Sequence, residues 1–541
     1  MVKTQMNKLT SWDLALADWT NVLDSEHVIT DRDCLDSAQT TTYATHQVIP
    51  AILRPSCREQ VQECLRIANK YRVGVYPVSS GKNWGYGSRV PVDEVSVVLD
   101  LSRMNRILDF SEDLAYVTVE PGVTQSQLSA FLRAQKSNLW MDASGGTPES
   151  SLIGNTMERG FGPTPYGDHF AHSCGLEVIL PTGERIETGF SRFPDTKTGP
   201  LYRWGVGPVL DGLFSQSNLG VVTRMSIWLM PAPEYFQGFF FSCNLDSMLS
   251  PVVEALRPLR LNGTIQSGMH IGNDYKVLNG LQQYPWAETE GRTPLSPEIM
   301  KGFRRALRIG AWNGSGALYG TRAQVGEARR LIKRALTGRV DRLQFFDDAK
   351  LRLAKRFAKP YQFFTGWNIT QTLTVLQAVY DLMKGIPTEK TLGSTYWRKR
   401  TPIPDQMNPD RDGCGLIWFA PIVPTRGKDV QALTEVVIKT MLEDGFEPMI
   451  SLTLLTERAI ACVVSISFDR SIPGEDDRAM SCYRRLFTNV TALGYRSYRL
   501  GVHSMGQMDI HDTYNSFLQT IKSAVDPVGV LSAGRYQASK S

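Results

Sequence analysis

Apolar residues in this chain come in two rhythms, and the order of the rhythms changes partway along. Val73-Gly-Val-Tyr-Pro-Val78 and Val95-Ser-Val-Val-Leu-Asp-Leu101 are continuous apolar runs of strand length, as buried strands require. Val48-Ile-Pro-Ala-Ile-Leu53 is strand-like as well. Between these runs Val61, Leu65 and Ala68 recur at helical spacing, and Ser56 and Glu59 hold the positions of a capping box. Ala115-Tyr-Val-Thr-Val119 predicts a strand that ends in the turn Glu120-Pro-Gly-Val123. Thr124 and Gln127 then cap a helix with Leu128, Phe131 and Leu132 inward. Residues 176–188 read as a hairpin around Pro181-Thr-Gly183, and Val221 to Met230 as a further strand. The residues before about Tyr43 form a polar lead-in with helical fragments.

Pro231-Ala-Pro-Glu234 breaks this texture. Beyond it strands and helices alternate: a strand from Gly310 to Tyr319, a helix from Thr321 to Leu336, a strand from Gly415 to Val423, a helix to Gly445, a strand from Ile460 to Phe468 and a helix ending at Gly494. Such alternation suggests an α+β module. From about Ser497 the chain looks like a return to the first unit. The expected division is 1–235, 236–496 and 497–541. Lys350, Arg352, Lys355, Arg356 and Lys359 read as a solvated helix face, with a docking surface for an acidic electron acceptor as the alternative.

Composition narrows the class. A chain of 541 residues is too long for one core, so two or more domains are expected. A net charge of +5 is small for this length and argues against nucleic-acid binding. No run reaches the ~18 apolar residues of a membrane helix, and the N-terminal residues lack a signal-peptide core. The cysteines show neither C-x-x-C nor zinc spacing, which points to a reduced, cytoplasmic protein without a metal site.

The candidate chemistry starts at Pro77-Val-Ser-Ser-Gly-Lys-Asn-Trp-Gly-Tyr-Gly87, between two predicted strands. Backbone N–H groups of such a Gly/Ser turn can converge on an anion. A Walker loop would need Ser or Thr after Lys82, where Asn83 stands. A Rossmann fingerprint would need a helix next, and no helical period follows. Taken alone, the loop is equally well a plain Gly-rich hairpin. Residues 139–155 form a second long Gly/Ser-rich loop, of a length that is often functional.

Six stretches then occur in one order: Ser80-Gly-Lys-Asn-Trp-Gly-Tyr-Gly87, Val119-Glu-Pro-Gly-Val-Thr124, Ile153-Gly-Asn155, Thr164-Pro-Tyr-Gly-Asp-His169, residues 207–220 ending in Phe-Ser-Gln-Ser-Asn-Leu-Gly220, and Asp526-Pro-Val-Gly529. In this order and spacing the chain resembles the vanillyl-alcohol oxidase / p-cresol methylhydroxylase family. The resemblance implies a two-domain α+β fold in which both chain ends build the FAD-binding domain around a substrate cap. It implies FAD contacts at Ser79, Ser80, Gly81, Lys82, Asn83, Trp84, Glu120, Pro121, Gly122, Val123, Gly154, Asn155, Gly220, Val221, Val222 and Arg535. It also implies that Tyr86, Tyr498 and Arg499 bind a phenolate, so that a hydride can leave the benzylic carbon and produce a quinone methide.

Departures from the family pattern carry expectations of their own. The catalytic carboxylate of the oxidase branch falls at Gly146, with Asp142 and Glu149 out of register and Ser144 or water as a substitute. The histidine that links flavin in the oxidase branch falls at Leu416, and Tyr396 is the nearest tyrosine to the position used by the hydroxylase branch. FAD is therefore expected to be non-covalent. Ala461-Cys462 replaces a histidine pair, with Cys462 expected in the core. The implied partners are a small phenol and either oxygen or a small redox protein, with no nucleic acid and no membrane; a homodimer is the candidate assembly. A non-phenolic alcohol as substrate, or a catalytically silent FAD-binding protein, are the alternatives.

Overall fold

The computed structural model describes residues 10–538 except 359, 361, 363–368 and 509–511. The loops that carry the candidate chemistry hang from two small sheets. The first runs Val28–Ile29, Ile52–Leu53, Val97–Asp100, Val75–Val78, and its last three strands are parallel. Parallel strands are buried on both faces, which is why these segments are continuously apolar. Val75, Val97 and Leu99 pack with Trp19 and Leu23 of helix Ser11–Leu23 and with Val61, Leu65 and Ala68 of helix Arg58–Tyr71. The second sheet is antiparallel, in the order Ile107–Ser111, Tyr116–Val119, Val221–Trp228, Ser173–Ile179, Arg185–Glu187. Its apolar side, with Val117, Val119, Leu176 and Val178, covers Leu128 and Leu132 of helix Gln125–Ala134.

Two local expectations change. The run from Val48 to Leu53 pairs as a strand only at Ile52–Leu53, because Pro50 has no N–H to donate. Ser56 does not cap the next helix. Its N–H and hydroxyl both donate to Gln60 Oε1, and the helix begins at Arg58 without a side-chain cap. Thr124 does cap its helix, accepting the Gln127 N–H, and Thr321 with Gln324 forms a full capping box.

The third sheet begins at Tyr235. It runs Arg342–Phe346, Tyr235–Cys243, Trp312–Gly320, Met269–Asn273, Met449–Leu454, Ala459–Asp469, Pro421–Pro424, Arg496–Ser497, with Cys414–Phe419 also paired to Ala459–Asp469. The strand expected from Gly415 to Val423 is interrupted at Ala420, since Pro421 cannot donate. Alternation divides this sheet into two faces. Ile271, Ile417, Leu452, Cys462 and Val464 join the apolar core with helices Leu249–Leu261, Gly427–Glu443 and Glu475–Ala492. The opposite face carries His270, Gly272, Ser451, Thr453, Ser465 and Trp418. There Trp418 meets Gly85 of the first loop: its N–H donates to the Gly85 carbonyl (3.2 Å), and a Cβ on Gly85 would overlap its ring.

The chain end returns to the first sheet. Val75 donates to Val530 (2.8 Å), Ser532 donates to Val75 (2.9 Å), and Val530 and Leu531 enter the first core. We keep 1–235, 236–496 and 497–541 as the proposed domain division. On helix Asp348–Arg356 the side chains of Lys350, Arg352, Lys355 and Arg356 are exposed, and Lys359 lies outside the described residues.

Candidate active site

Six consecutive backbone N–H groups, Ser79 to Trp84, find no acceptor among the described residues. Buried or half-buried N–H groups are seldom left so, and a row of them on a turn can serve as an anion cradle. Gly81 supplies the left-handed turn (φ +67°), and a Cβ there would overlap the Arg89 side chain. The cradle is fastened to two other predicted stretches by one serine. Ser151 N–H donates to Ser80 Oγ (3.2 Å), Ser151 Oγ donates to the Pro121 carbonyl (2.6 Å) and accepts the Gly154 N–H (2.9 Å). Gly154 lies so close to Ser79 that a Cβ on it would sit 3.1 Å from the Ser79 hydroxyl.

The remaining predicted contacts occupy different surroundings. Gly122 and Val123 complete the turn after Val119, where the Val123 N–H donates to the Glu120 carbonyl (3.1 Å). The Glu120 carboxylate is taken up by Arg106, through its backbone N–H (2.8 Å) and guanidinium (2.7 Å). Gly220 leads into strand Val221–Trp228 against Val178, with Val221 packed in the first core and Val222 in the second. Lys82 lies over the Trp84 ring (5.5 Å), and burial followed by the charge of Arg89 holds its pKa below the ordinary lysine range. Trp84 Nε1 and Ser88 Oγ donate to Asp410 (3.0 and 2.8 Å), whose carboxyl burial pushes up to about 6.

Tyr86, Tyr498 and Arg499, 413 residues apart at their extremes in sequence, come together. The Arg499 guanidinium stacks 4.3 Å from the Tyr86 ring centre, its Nη2 donates to Asn83 Oδ1 (2.6 Å), and its Nε is 3.3 Å from Glu158. Tyr498 is placed by its N–H, which donates to the Ala420 carbonyl (3.1 Å) at the break before Pro421. Tyr498 and Arg499 are both half-buried. Burial, then the neighbouring Tyr498, puts the Tyr86 pKa well above the ordinary tyrosine value. Burial raises Tyr498 too, against the pull of Arg499. Both phenols are thus neutral O–H donors. Burial works against the charge on Arg499, but Glu158 and the tyrosines outweigh it, and its pKa is raised.

Sequence reasoning missed Glu158, one helical turn beyond Asn155. It sits between Arg499 and Arg535 and accepts the Tyr536 hydroxyl (3.0 Å). Burial would raise its pKa, but Arg535 and Arg499 prevail and lower it. Arg535 is buried and also donates to the Tyr76 hydroxyl (2.6 Å). Two guanidiniums against one carboxylate leave one net positive charge in this cluster. The only advance signal was a Glu close to a Gly-Asn motif, which surface glutamates imitate everywhere.

On another side of the site, His169 bridges Asn155 (2.6 Å) and Asp142 (2.8 Å), and Asp142 accepts the Thr164 N–H (2.8 Å). Each oxygen of Asp142 is thus engaged in holding this loop. Gly146 is exposed, and its carbonyl accepts Thr391 Oγ1 (3.3 Å). Leu416 is buried beside Trp84 and Leu392. The Tyr396 hydroxyl is engaged by Asp412 (2.6 Å). Cys462 is fully buried in the apolar core.

Comparison with known proteins bears on this arrangement. A family model described as an FAD binding domain matches residues 49–189. The chain is 44% identical over 524 residues to 1'-carboxy-chondrochloren decarboxylase of Chondromyces crocatus, covering 96% of each chain. It is 29% identical to the hydroxylating 4-cresol dehydrogenase flavoprotein subunit of Pseudomonas putida, covering 98% of this chain and 95% of that one. The solved structure of p-cresol methylhydroxylase with substrate bound superposes with a TM-score of 0.87 at 27% identity, over 98% of this chain and 97% of that chain.

Proposed function

The chain belongs to the vanillyl-alcohol oxidase / p-cresol methylhydroxylase family of FAD-dependent oxidoreductases, and from that premise we propose that it oxidises the benzylic carbon of a para-substituted phenol. The meeting of Tyr86, Tyr498 and Arg499 is the observation that supports this reading most. A phenol with a pKa near ~10 is neutral at about pH 7. Two hydroxyl donors and a guanidinium, with a net positive charge behind them, favour its anion. The phenolate oxygen pushes electron density to the para position, which loosens the benzylic C–H bond. FAD supplies, when bound, the acceptor for the hydride. The six free N–H groups of Ser79 to Trp84 suit its pyrophosphate, and the bare Cα of Gly154 against Ser79 allows close approach. Arg535 would add a fixed cation on the side of Glu158.

Loss of the hydride leaves the substrate as a quinone methide, and two fates follow. Water can add at the benzylic carbon. If the adjacent carbon bears a carboxylate, the electron pair of the C–CO₂ bond can instead close a C=C bond to the benzylic carbon. The ring then regains aromaticity, its oxygen becomes phenolate again, and carbon dioxide leaves with no further oxidant. The decarboxylase from Chondromyces crocatus favours the second fate by analogy. Gly146 suits it as well, since a glycine offers no side chain to activate water.

Anaerobic mixing with a panel of para-substituted phenols is expected to bleach the flavin. Bleaching by non-phenolic alcohols and by no phenol would overturn the reading. Oxygen or a small redox protein would then take the electrons. We also propose that the FAD is non-covalent, because Leu416 has no nucleophilic atom and the Tyr396 hydroxyl is held by Asp412. Acid precipitation should leave the yellow colour in the supernatant; colour in the pellet would refute this.

A further inference from the structure

We propose that Lys276 is the binding site for a carboxylate on the substrate, so that the natural substrate is a para-substituted phenol with an acid group on its side chain. This rests on the phenol reading above and names the substrate class of the same site. Lys276 belongs to the first turn of helix Asp274–Leu281, whose start is fixed by Asn273 accepting the Lys276 N–H (3.0 Å). Its stem passes over Gly272, and its ammonium lies 5.7 Å from the centre of the Trp418 ring. Trp418 in turn packs against Gly85, the residue before Tyr86. Lys276 is thus linked to Tyr86 through Trp418 and Gly85.

Its ammonium has no ion pair and no hydrogen bond among the described residues. Its side chain is half-buried. A buried charge without a partner is expensive, and burial alone lowers its pKa to about 8. At neutral pH it is still mostly cationic. An anionic ligand group supplies the missing partner, while the ring of Trp418 offers a weak cation–π contact in its absence. The cradle at Ser79 to Trp84 has its own lysine, Lys82, over a different ring. A cap-side cation is therefore left for the far end of the substrate.

The test titrates the oxidised flavoprotein with 3-(4-hydroxyphenyl)propionate and with its methyl ester, reading perturbation of the flavin absorbance. The acid should bind about 10- to 100-fold more tightly than the ester, the range of a charge-assisted contact. Lys276→Met should abolish that preference, and Lys276→Arg should restore most of it. Equal binding of acid and ester, or an acid preference that survives Lys276→Met, would overturn the assignment. Anaerobic bleaching by the same two compounds is a separate measurement. If neither bleaches the flavin, the benzylic oxidation fails, while the charge preference at Lys276 is still read from the titration.

Discussion

Arg499→Lys should lower kcat/KM toward a para-substituted phenol by about 10²- to 10³-fold while the protein keeps its FAD, the loss seen when one oxyanion donor is removed. Arg499 does three things from one planar group: it donates to Asn83, pairs with Glu158 and stacks on Tyr86. A lysine ammonium is a point charge on a flexible stem and can satisfy one of these at a time. The anion-stabilising charge would survive but lose its aim. The deficit should appear in the rate of anaerobic flavin reduction and in the loss of the bound phenolate absorbance. Tyr498→Phe should cost less, about tenfold, because one neutral hydrogen bond is worth about 0.5–1.5 kcal/mol. Near-wild-type reduction by Arg499→Lys would favour a non-phenolic alcohol as substrate.

What the sequence disclosed of this site follows from what short motifs encode. The cradle was legible because a Gly/Ser turn between two apolar strands is a local feature, and residues 79–84 do present free N–H groups. Tyr86, Tyr498 and Arg499 were legible only through the family pattern. Their meeting depends on the break at Ala420 and on the chain end returning beside Val75, and both are tertiary events. Glu158, Asp410 and Lys276 left no distinctive sequence signal, since an isolated charged residue reads as solvated until its burial is known. The missed cap at Ser56 has the same origin: Gln60 competes for the same serine hydroxyl, and spacing alone cannot rank the two. The departures at Gly146, Leu416 and Ala461-Cys462 were readable, because each is a position, or a pair of positions, where the side-chain chemistry of the family pattern is absent.

Glu158 is where folding and the proposed chemistry compete for the same charge. Glu158→Gln should destabilise the protein by about 3–5 kcal/mol at pH 7.5, since it leaves Arg499 and Arg535 buried together without their counter-ion. Glutamine keeps the size and one acceptor, so the loss reports the charge. The pH dependence has a definite sign. The folded pKa of Glu158 lies below its ordinary value of about 4.3, so its stabilisation is present above that pH. It is lost as the pH falls toward the folded value and both chains become neutral at this position. Urea unfolding of the wild type and Glu158→Gln should therefore show the widest gap near neutrality and a narrowing gap below about pH 4. A gap that is absent at pH 7.5, or unchanged on acidification, would mean that Glu158 is not the counter-ion of this pair. With Glu158 neutralised the net charge of this cluster rises from one to two. The variant should then bind a phenolate more tightly even as it unfolds more easily, because stability and anion affinity draw on the same two guanidiniums.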